Sequence, residues 1–208
     1  MINKLDIPFI KTRGFECGQA CVAMIIKYFK PRTKIEFDRF NKIIHHKAGM
    51  YSFPLQLAIL PDHYGLKAKC FSSGGFNTTK EDPGMFARWF GKDLEYEMKF
   101  INTKTFDWMI TEGRKRNLYQ YRKTKFVKLI NLFRRGYLVC FPIDWNSLVG
   151  KKGPYDGHFV VLSGVQGKNV FLHDPDVGAY IKYQREKVQK AYTHPAIADD
   201  LVIVSGEK

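Results

Sequence analysis

ECGQACVAMIIKYF, residues 16–29, reads as a short turn followed by a run of apolar side chains. Residues 20–26 are all apolar, and two aromatic residues close the stretch. A helix that is apolar on nearly every side is expected in the centre of a fold, covered from both directions. Because Pro31 cannot continue the backbone hydrogen-bond ladder, the helix is predicted over about residues 18–30.

Cys17 and Gly18 stand where this helix begins. A thiol at a helix N-terminus meets the positive end of the helix dipole and unpaired backbone N–H groups, which favour its thiolate form. The same N–H groups are suited to binding a developing oxyanion. The alternative is that Cys17 is a small buried hydrophobic residue, which is the commoner role of cysteine.

The composition indicates one globular domain spanning residues 1–208. Hydrophobic residues make up 45% of the chain, enough for a substantial core. There are 34 Lys and Arg against 20 Asp and Glu, a net charge of +14. Such an excess favours anionic partners, although a solubilising surface explains it equally well.

The start of the chain has no apolar segment of signal-peptide length, and no run approaches a membrane span, so a cytoplasmic location is predicted. The four cysteines are scattered, which argues against a disulfide framework and fits a reducing compartment. Cys17 and Cys21 would need two further ligands at suitable spacing to bind a metal ion, so no metal or other cofactor is predicted.

The segment 104–136 differs from the rest of the chain in charge. It holds ten basic and two acidic residues, which is +8 of the total net charge. Within it an apolar i, i+3, i+4, i+7 stripe predicts an amphipathic helix with a basic outer face, formed by Phe126, Leu129, Ile130 and Phe133. We interpret 104–136 as a basic, partly helical segment. Its outer face is either simply solvated or, with Tyr119 and Tyr121 among the charges, a site for an anionic partner such as nucleic acid.

Helical patterns come first in the chain and strand patterns second. Helices are predicted at 35–46, 53–64 and 85–90, and strands at 66–71, 94–101, 137–143, 158–165, 169–172 and 201–204. This order indicates an α+β fold in which an N-terminal helical half packs against a C-terminal antiparallel sheet.

The stretch GHFVVLSGV, residues 157–165, and NVFLHDPDVG, residues 169–178, together predict a β-hairpin. His158 starts one strand and Asp174 ends the other, so the two are expected to be neighbours. A carboxylate beside an imidazole fixes the tautomer and stabilises the imidazolium. Asp176 is an alternative partner for His158.

These motifs resemble those of the papain-like C39-type cysteine peptidases. CGQAC at residues 17–21 resembles the family's catalytic cysteine motif, and the two hairpin stretches resemble its histidine and aspartate motifs. The resemblance implies a papain-like fold with the active site in the cleft between helices and sheet. It also implies that Cys17 is the nucleophile, His158 the general base and acid, and Asp174 the residue that orients His158.

The chain departs from the family's pattern in two respects. Cys17 and His158 are 141 residues apart, more than a compact member of the family needs, so the resemblance implies that the basic segment 104–136 is an insertion. The other departure is at one position. The family usually has a glutamine six residues before the cysteine as an oxyanion donor, and here that position is Lys11. The expected oxyanion hole therefore consists of Lys11 and the Cys17 backbone N–H. Gly157 and Trp145, near the predicted mouth of the sheet, are expected to contact substrate.

The resulting hypothesis is a cysteine peptidase that cleaves peptide or protein substrates through an acyl-enzyme. The family suggests cleavage after small residues such as Gly-Gly. The alternatives are an acyltransferase or transpeptidase with the same nucleophile, a peptidase-like binding module weakened by Lys11, and an anion-binding protein that uses 104–136.

Overall fold

The computed structural model describes residues 3–194, 197 and 199–207. Its helices are α1 (Cys17–Phe29), α2 (Phe37–Ile43), α3 (Pro54–His63), α4 (Met85–Phe90), α5 (Leu94–Glu97), α6 (Thr103–Lys115), α7 (Phe126–Arg134), α8 (Trp145–Val149) and α9 (Arg185–Tyr192). Its strands are β1 (Asn3–Lys4), β2 (Leu66–Ser72), β3 (Tyr119–Tyr121), β4 (Leu138–Asp144), β5 (Gly157–Gln166), β6 (Asn169–Asp174), β7 (Gly178–Gln184) and β8 (Leu201–Glu207). None of the helices in these ranges is long and apolar enough to cross a membrane.

The strands form a single sheet with the order β3-β2-β8-β4-β5-β6-β7, and β1 pairs with β5. All pairings are antiparallel except that of β2 with β3. The predicted α+β class with a mostly antiparallel sheet is therefore confirmed. The C-terminal strand β8 lies between β2 and β4, so it joins the helix-rich and strand-rich parts of the chain.

Side chains alternate across the sheet and build one apolar core on each face. Along β4, Leu138 and Cys140 belong to the core shared with α1, α3 and α6, whereas Val139 and Phe141 belong to the core shared with α7 and α9. Helices thus cover both faces. The helical half predicted from the N-terminal sequence accounts for one face, and α7 and α9 cover the other.

The central helix α1 begins one residue earlier than predicted and ends at Phe29. Residues 20–26 are fully buried, as a helix that is apolar on all sides requires. One face of α1 packs on β5 and β4, and another on α3. The N-terminus of α1 is therefore held at a fixed place beside β5.

The prediction of a strand at 94–101 was wrong. This segment forms α5, preceded and followed by short 3₁₀ turns at Gly91–Asp93 and Met98–Phe100. Phe90, Leu94 and Met98 recur every four residues and all pack against the first core. That spacing places them on one side of a helical path, and tertiary packing outweighs the alternation that suggested a strand.

The segment 104–136 contains α6, β3 and α7. The predicted stripe of α7 is buried, formed by Phe126, Leu129, Ile130 and Phe133, while Lys125 and Lys128 are exposed. β3 extends the sheet beside β2, and α6 packs on α3. The interpretation of 104–136 as an added basic unit stays a prediction.

The contact between α6 and α3 depends on Gly113. A Cβ atom at Gly113 would lie 2.7–2.8 Å from three side-chain atoms of Leu55, which is fully buried. Replacing a helix-interior glycine with alanine usually stabilises by ~1 kcal/mol, but overpacking a core costs ~1–3 kcal/mol. We expect Gly113→Ala to lower the free energy of unfolding by about 1–2 kcal/mol in urea denaturation. Gly206→Ala, where a Cβ meets no atom within 4 Å, is the control and should change it little.

Candidate active site

Three elements meet where the sequence predicted a catalytic site. These are the N-terminus of α1, the start of β5 and the end of β6. Cys21, one turn after Cys17, donates from its thiol to the Phe159 carbonyl at 3.3 Å. This bond fastens α1 to the strand residue that follows His158, so Cys17 and His158 line the same cleft.

His158 is the centre of the site, and only 7% of its surface is exposed. Its Nε2 lies 2.8 Å from Oδ1 of Asp174. Its Nδ1 points away from Asp174 and lies 3.7 Å from Oδ2 of Asp176. The Trp145 ring packs edge-on against the imidazole, with 5.2 Å between ring centroids. The ring orientation of His158 is therefore fixed from two sides, and Nδ1 is left for the reacting side of the cleft.

The charge state of His158 is set by its neighbours. Burial alone would lower the pKa of His158, but hydrogen bonds with Asp174 and Cys17, together with their charges, raise it to about 10. An imidazole so placed is protonated at neutral pH and is stabilised most when Cys17 carries a negative charge. Cys17 therefore lies close enough to the His158 ring to raise its pKa, a proximity that the sequence alone could not demonstrate.

Asp174 is completely buried. Its Oδ1 accepts hydrogen bonds from His158 and from the backbone N–H groups of Asp176 at 3.0 Å and Val177 at 3.2 Å. Three donors on one oxygen fix the carboxylate, and the carboxylate in turn fixes the imidazole. Asp174, rather than Asp176, is the hydrogen-bonded partner of His158.

The first turn of α1 presents unpaired backbone donors to the cleft. The first intrahelical bond runs from the N–H of Ala20 to the carbonyl of Glu16, and no side chain caps the helix. The N–H groups of Cys17, Gly18 and Gln19 thus lack intrahelical acceptors. A Cβ at Gly18 would lie 2.6 Å from Leu57 of α3, so glycine lets the two helices approach here. This turn can hold an oxyanion next to the Cys17 thiol.

The cleft beside these groups has a volume of about 530 Å³. Gly157, at the start of β5, lines it, and its contact with substrate stays a prediction. A large part of its wall is aromatic. Most of the rings come from two segments, with Tyr51 and Phe53 from one and Trp89, Phe90, Tyr96 and Phe100 from the other, and Phe15, Tyr155 and Phe159 add to them.

Lys11 and Trp145 lie outside the set of described residues that line the cleft. Lys11 is exposed and close enough to Asp176 to lower its pKa, against a larger upward effect of burial. Trp145 contacts the His158 ring instead of facing the cleft. Lys11 therefore lies near Asp176 on the exposed side, and Trp145 packs against the His158 ring.

Sequence reasoning missed the aromatic wall and the buried carboxylate of Asp200, which also lines the cleft. The density of aromatic residues between 86 and 100 was a visible signal for the wall. For Asp200 there was no comparable signal. Within the described ranges, no three His, Cys, Asp or Glu side chains are grouped so as to hold a metal ion.

Comparison with known proteins places this geometry in context. A sequence profile described as guanylylate cyclase matches residues 8–204, and a search of curated proteins finds no match. Among solved structures, the chain is similar to one described as a C39-like peptidase from Bacillus anthracis, with 14% identity, a TM-score of 0.55 and full coverage of both chains.

Two further solved structures are similar over nearly the whole chain. One is the peptidase domain of Streptococcus ComA, a transporter in a quorum-sensing pathway, with 12% identity, a TM-score of 0.54 and coverage of 97% of this chain and 98% of that one. The other is a double-glycine-motif protease from an AMS/PCAT transporter in complex with a leader peptide, with 18% identity, a TM-score of 0.50 and coverage of 97% and 92%. The resemblance to C39-type peptidases is thereby confirmed at the level of the fold.

Proposed function

The chain belongs to the guanylylate cyclase family, and from its site we propose that it is a cysteine-type hydrolase of peptide or related amide bonds. Cys17 is the proposed nucleophile, His158 the proton carrier and Asp174 the residue that positions His158. The observation that supports this most directly is the placement of His158 between Asp174 and Cys17. The peptidase-like fold of the solved neighbours agrees with it.

The proposed reaction has two halves. The Cys17 thiolate attacks the carbonyl carbon of the amide, and a carbon–sulfur bond forms while the N–H groups at the start of α1 bind the oxyanion. The carbon–nitrogen bond then breaks as His158 donates its proton to the leaving amine. Neutral His158 next takes a proton from water, hydroxide attacks the thioester, and the Cys17 thiolate leaves. The products are an acid and an amine.

The pairing of Cys17 with His158 is testable without a known substrate. We expect iodoacetamide to alkylate Cys17 selectively at pH 6, well below the ~8.5 at which an ordinary thiol ionises. His158→Ala should slow this labelling about tenfold or more at pH 6, because the imidazolium that favours the thiolate is gone. Peptide mass spectrometry across pH 5–9 identifies the labelled residue. Equal labelling of wild type and His158→Ala would overturn the proposal.

We also propose that Lys11, which is exposed near Asp176 and outside the residues that line the cleft, reaches into it as a second oxyanion donor, in place of the glutamine expected from the C39 resemblance. Loss of one such donor typically lowers kcat ~10²–10³-fold. Lys11→Ala is therefore expected to reduce kcat about a hundredfold with little change in KM, measured on a cleaved peptide. Lys34→Ala, at another exposed lysine, is the matched control. Full activity in Lys11→Ala would leave the oxyanion hole to the backbone of α1.

A transferase, a peptide-binding module or a cyclase would each give a result different from that of a hydrolase when the same purified protein is assayed. A transferase forms a product with the mass of an added amine, whereas a hydrolase does not. A peptidase-like binding module retains peptide intact even though Cys17 is reactive. The family's description names a cyclase, so formation of cyclic guanylate from guanosine triphosphate should be assayed alongside. The charged side chains lining the cleft in the described ranges are His158 and three aspartates, which favour a substrate other than a polyanion.

The exposed basic face of α7 is a separate candidate for an anionic partner. Lys125, Lys128, Arg134 and Arg135 are exposed on or beside this helix. Binding of a polyanion there should weaken steeply as salt rises, because bound counterions are released. Such binding would not involve Cys17.

A further inference from the structure

The charge of the cleft is opposite to that of the whole protein. The chain has 34 Lys and Arg, but the charged residues that line the cleft in the described parts of the chain are Asp156, Asp176, Asp200 and His158. A protein with a net charge of +14 therefore presents carboxylates where substrate enters. Such local reversal of charge selects ligands of the opposite sign.

Asp200 provides a second, independent observation. Only 8% of its surface is exposed, it lines the cleft, and its Oδ1 has no hydrogen-bond partner among the described residues. Burial raises the pKa of Asp200 well above its usual range, although a hydrogen bond with Ser72 acts in the opposite direction. Asp200 is therefore a carboxylate at neutral pH only when a positive charge in the cleft offsets the cost of its burial.

Glu97 lies close to the same wall of the cleft. It is fully buried, and neither of its oxygens has a partner within hydrogen-bonding distance in the described part of the chain. Burial raises the pKa of Glu97, while the nearby hydroxyl of Tyr51, which lines the cleft, lowers it. Asp156 raises the pKa values of both Glu97 and Asp176. Asp156 is thus close enough to interact electrostatically with two carboxylates, that of Asp176 beside His158 and that of Glu97 beside Tyr51.

The aromatic wall of the cleft is suited to the apolar stem of a cationic side chain. Trp89, Tyr96 and Phe100 line the cleft together with these carboxylates. Aromatic faces attract ammonium and guanidinium groups and also pack against the methylene stems that carry them. Lysine and arginine residues combine a stem of this kind with a charge at its end.

From these observations we propose that the cleft contains a subsite for the cationic side chain of a lysine or arginine residue of a peptide, with Asp156 and Asp200 as its carboxylates. The inference rests on the proposed function in naming the substrate class of the same site. It adds a selectivity for basic over neutral and acidic residues.

The experiment measures binding and uses the Cys17→Ala variant, so that its result does not depend on catalysis. The probes are the blocked tripeptides acetyl-Gly-Lys-Gly-amide and the same peptide with norleucine or glutamate in place of lysine. Their dissociation constants are read from NMR chemical shifts or from the fluorescence of Trp89, which lines the cleft. We expect the lysine peptide to bind about tenfold more tightly than the norleucine peptide, and the glutamate peptide most weakly.

Variants locate the subsite. Asp156→Asn changes an exposed residue and carries little risk of misfolding, and Asp200→Asn preserves the shape of the buried one. Each should reduce the lysine-to-norleucine preference several-fold, whereas Glu186→Gln on the exposed side of α9 should leave the preference intact.

Equal binding of the lysine and norleucine peptides, or no binding of either, would overturn the subsite. So would a preference that survives both Asp156→Asn and Asp200→Asn. Failure of the proposed hydrolase function would be seen in a different experiment, the alkylation of Cys17. There, wild type and His158→Ala would be labelled equally.

Discussion

Cys17→Ala is expected to abolish amide hydrolysis, with a fall in kcat of about 10⁵–10⁶-fold, the scale seen when the nucleophile of a hydrolase triad is removed. The physical reason is that every later step passes through the bond between the Cys17 sulfur and the acyl carbon. His158 and the N–H groups of α1 remain in the variant, but they have no thiolate to assist. The measurement is turnover of the best substrate from a peptide library, with product identified by mass.

The matched control is Cys70→Ala. Cys70 is a free cysteine that is fully buried in β2, and burial raises the pKa of its thiol well above the usual range. Its removal leaves a small cavity and should cost some stability, while kcat stays within about twofold. If Cys17→Ala retained hydrolysis, or if Cys70→Ala lost it to the same extent, Cys17 would not be the nucleophile.

The hairpin that carries His158 and Asp174 was predictable because its geometry is local. Antiparallel strands joined by a short turn place the start of one beside the end of the other, whatever the rest of the fold does. The structure agrees, with 2.8 Å between Nε2 of His158 and Oδ1 of Asp174. The buried character of α1 was predictable for a similar reason, since its apolar run leaves no face for solvent.

Asp200 shows where the sequence gives no guidance. It precedes β8, which lies between β2 and β4, and this strand order brings the end of the chain to the wall of the cleft. No periodicity within residues 199–207 specifies which strands β8 will join. The aromatic wall is a different case, because its residues were visible but two of them, Tyr96 and Phe100, were assigned to a strand. Only packing of Phe90, Leu94 and Met98 on the first core distinguishes the helical path.

Asp174→Asn is expected to lower kcat/KM at pH 7 about 10⁴-fold, the second-largest loss predicted here and the scale known for loss of the orienting carboxylate of a triad. Asparagine can still accept a hydrogen bond through its oxygen, so His158 keeps a partner but loses the negative charge. It also places an NH₂ group where Asp174 Oδ2 now lies buried without a partner in the described residues. A buried donor without an acceptor adds to the cost.

The pH dependence separates this electrostatic role from a merely structural one. Burial lowers the pKa of His158, but its hydrogen bonds to Asp174 and Cys17, together with their charges, raise that pKa to about 10. Since the imidazolium must protonate the leaving amine, activity should fall on the alkaline side only as pH approaches that value. Asp174→Asn removes one of the causes, so the alkaline limb of kcat/KM should move to lower pH.

Stability must follow the same linkage. The pKa of His158 is higher in the folded than in the unfolded chain, so its contribution is fully present below about pH 6.5 and is lost as pH rises through about 10. The free energy of unfolding of the wild type, measured in urea, should therefore fall as the pH rises from about 6 to 9.5. The fall should be smaller in Asp174→Asn.

The matched control is Asp107, a carboxylate that also accepts a backbone N–H, from Thr79 at 2.6 Å, but belongs to α6. Asp107→Asn should reduce stability without moving the alkaline limb, and an unmoved limb in Asp174→Asn would show that Asp174 does not govern the charge of His158.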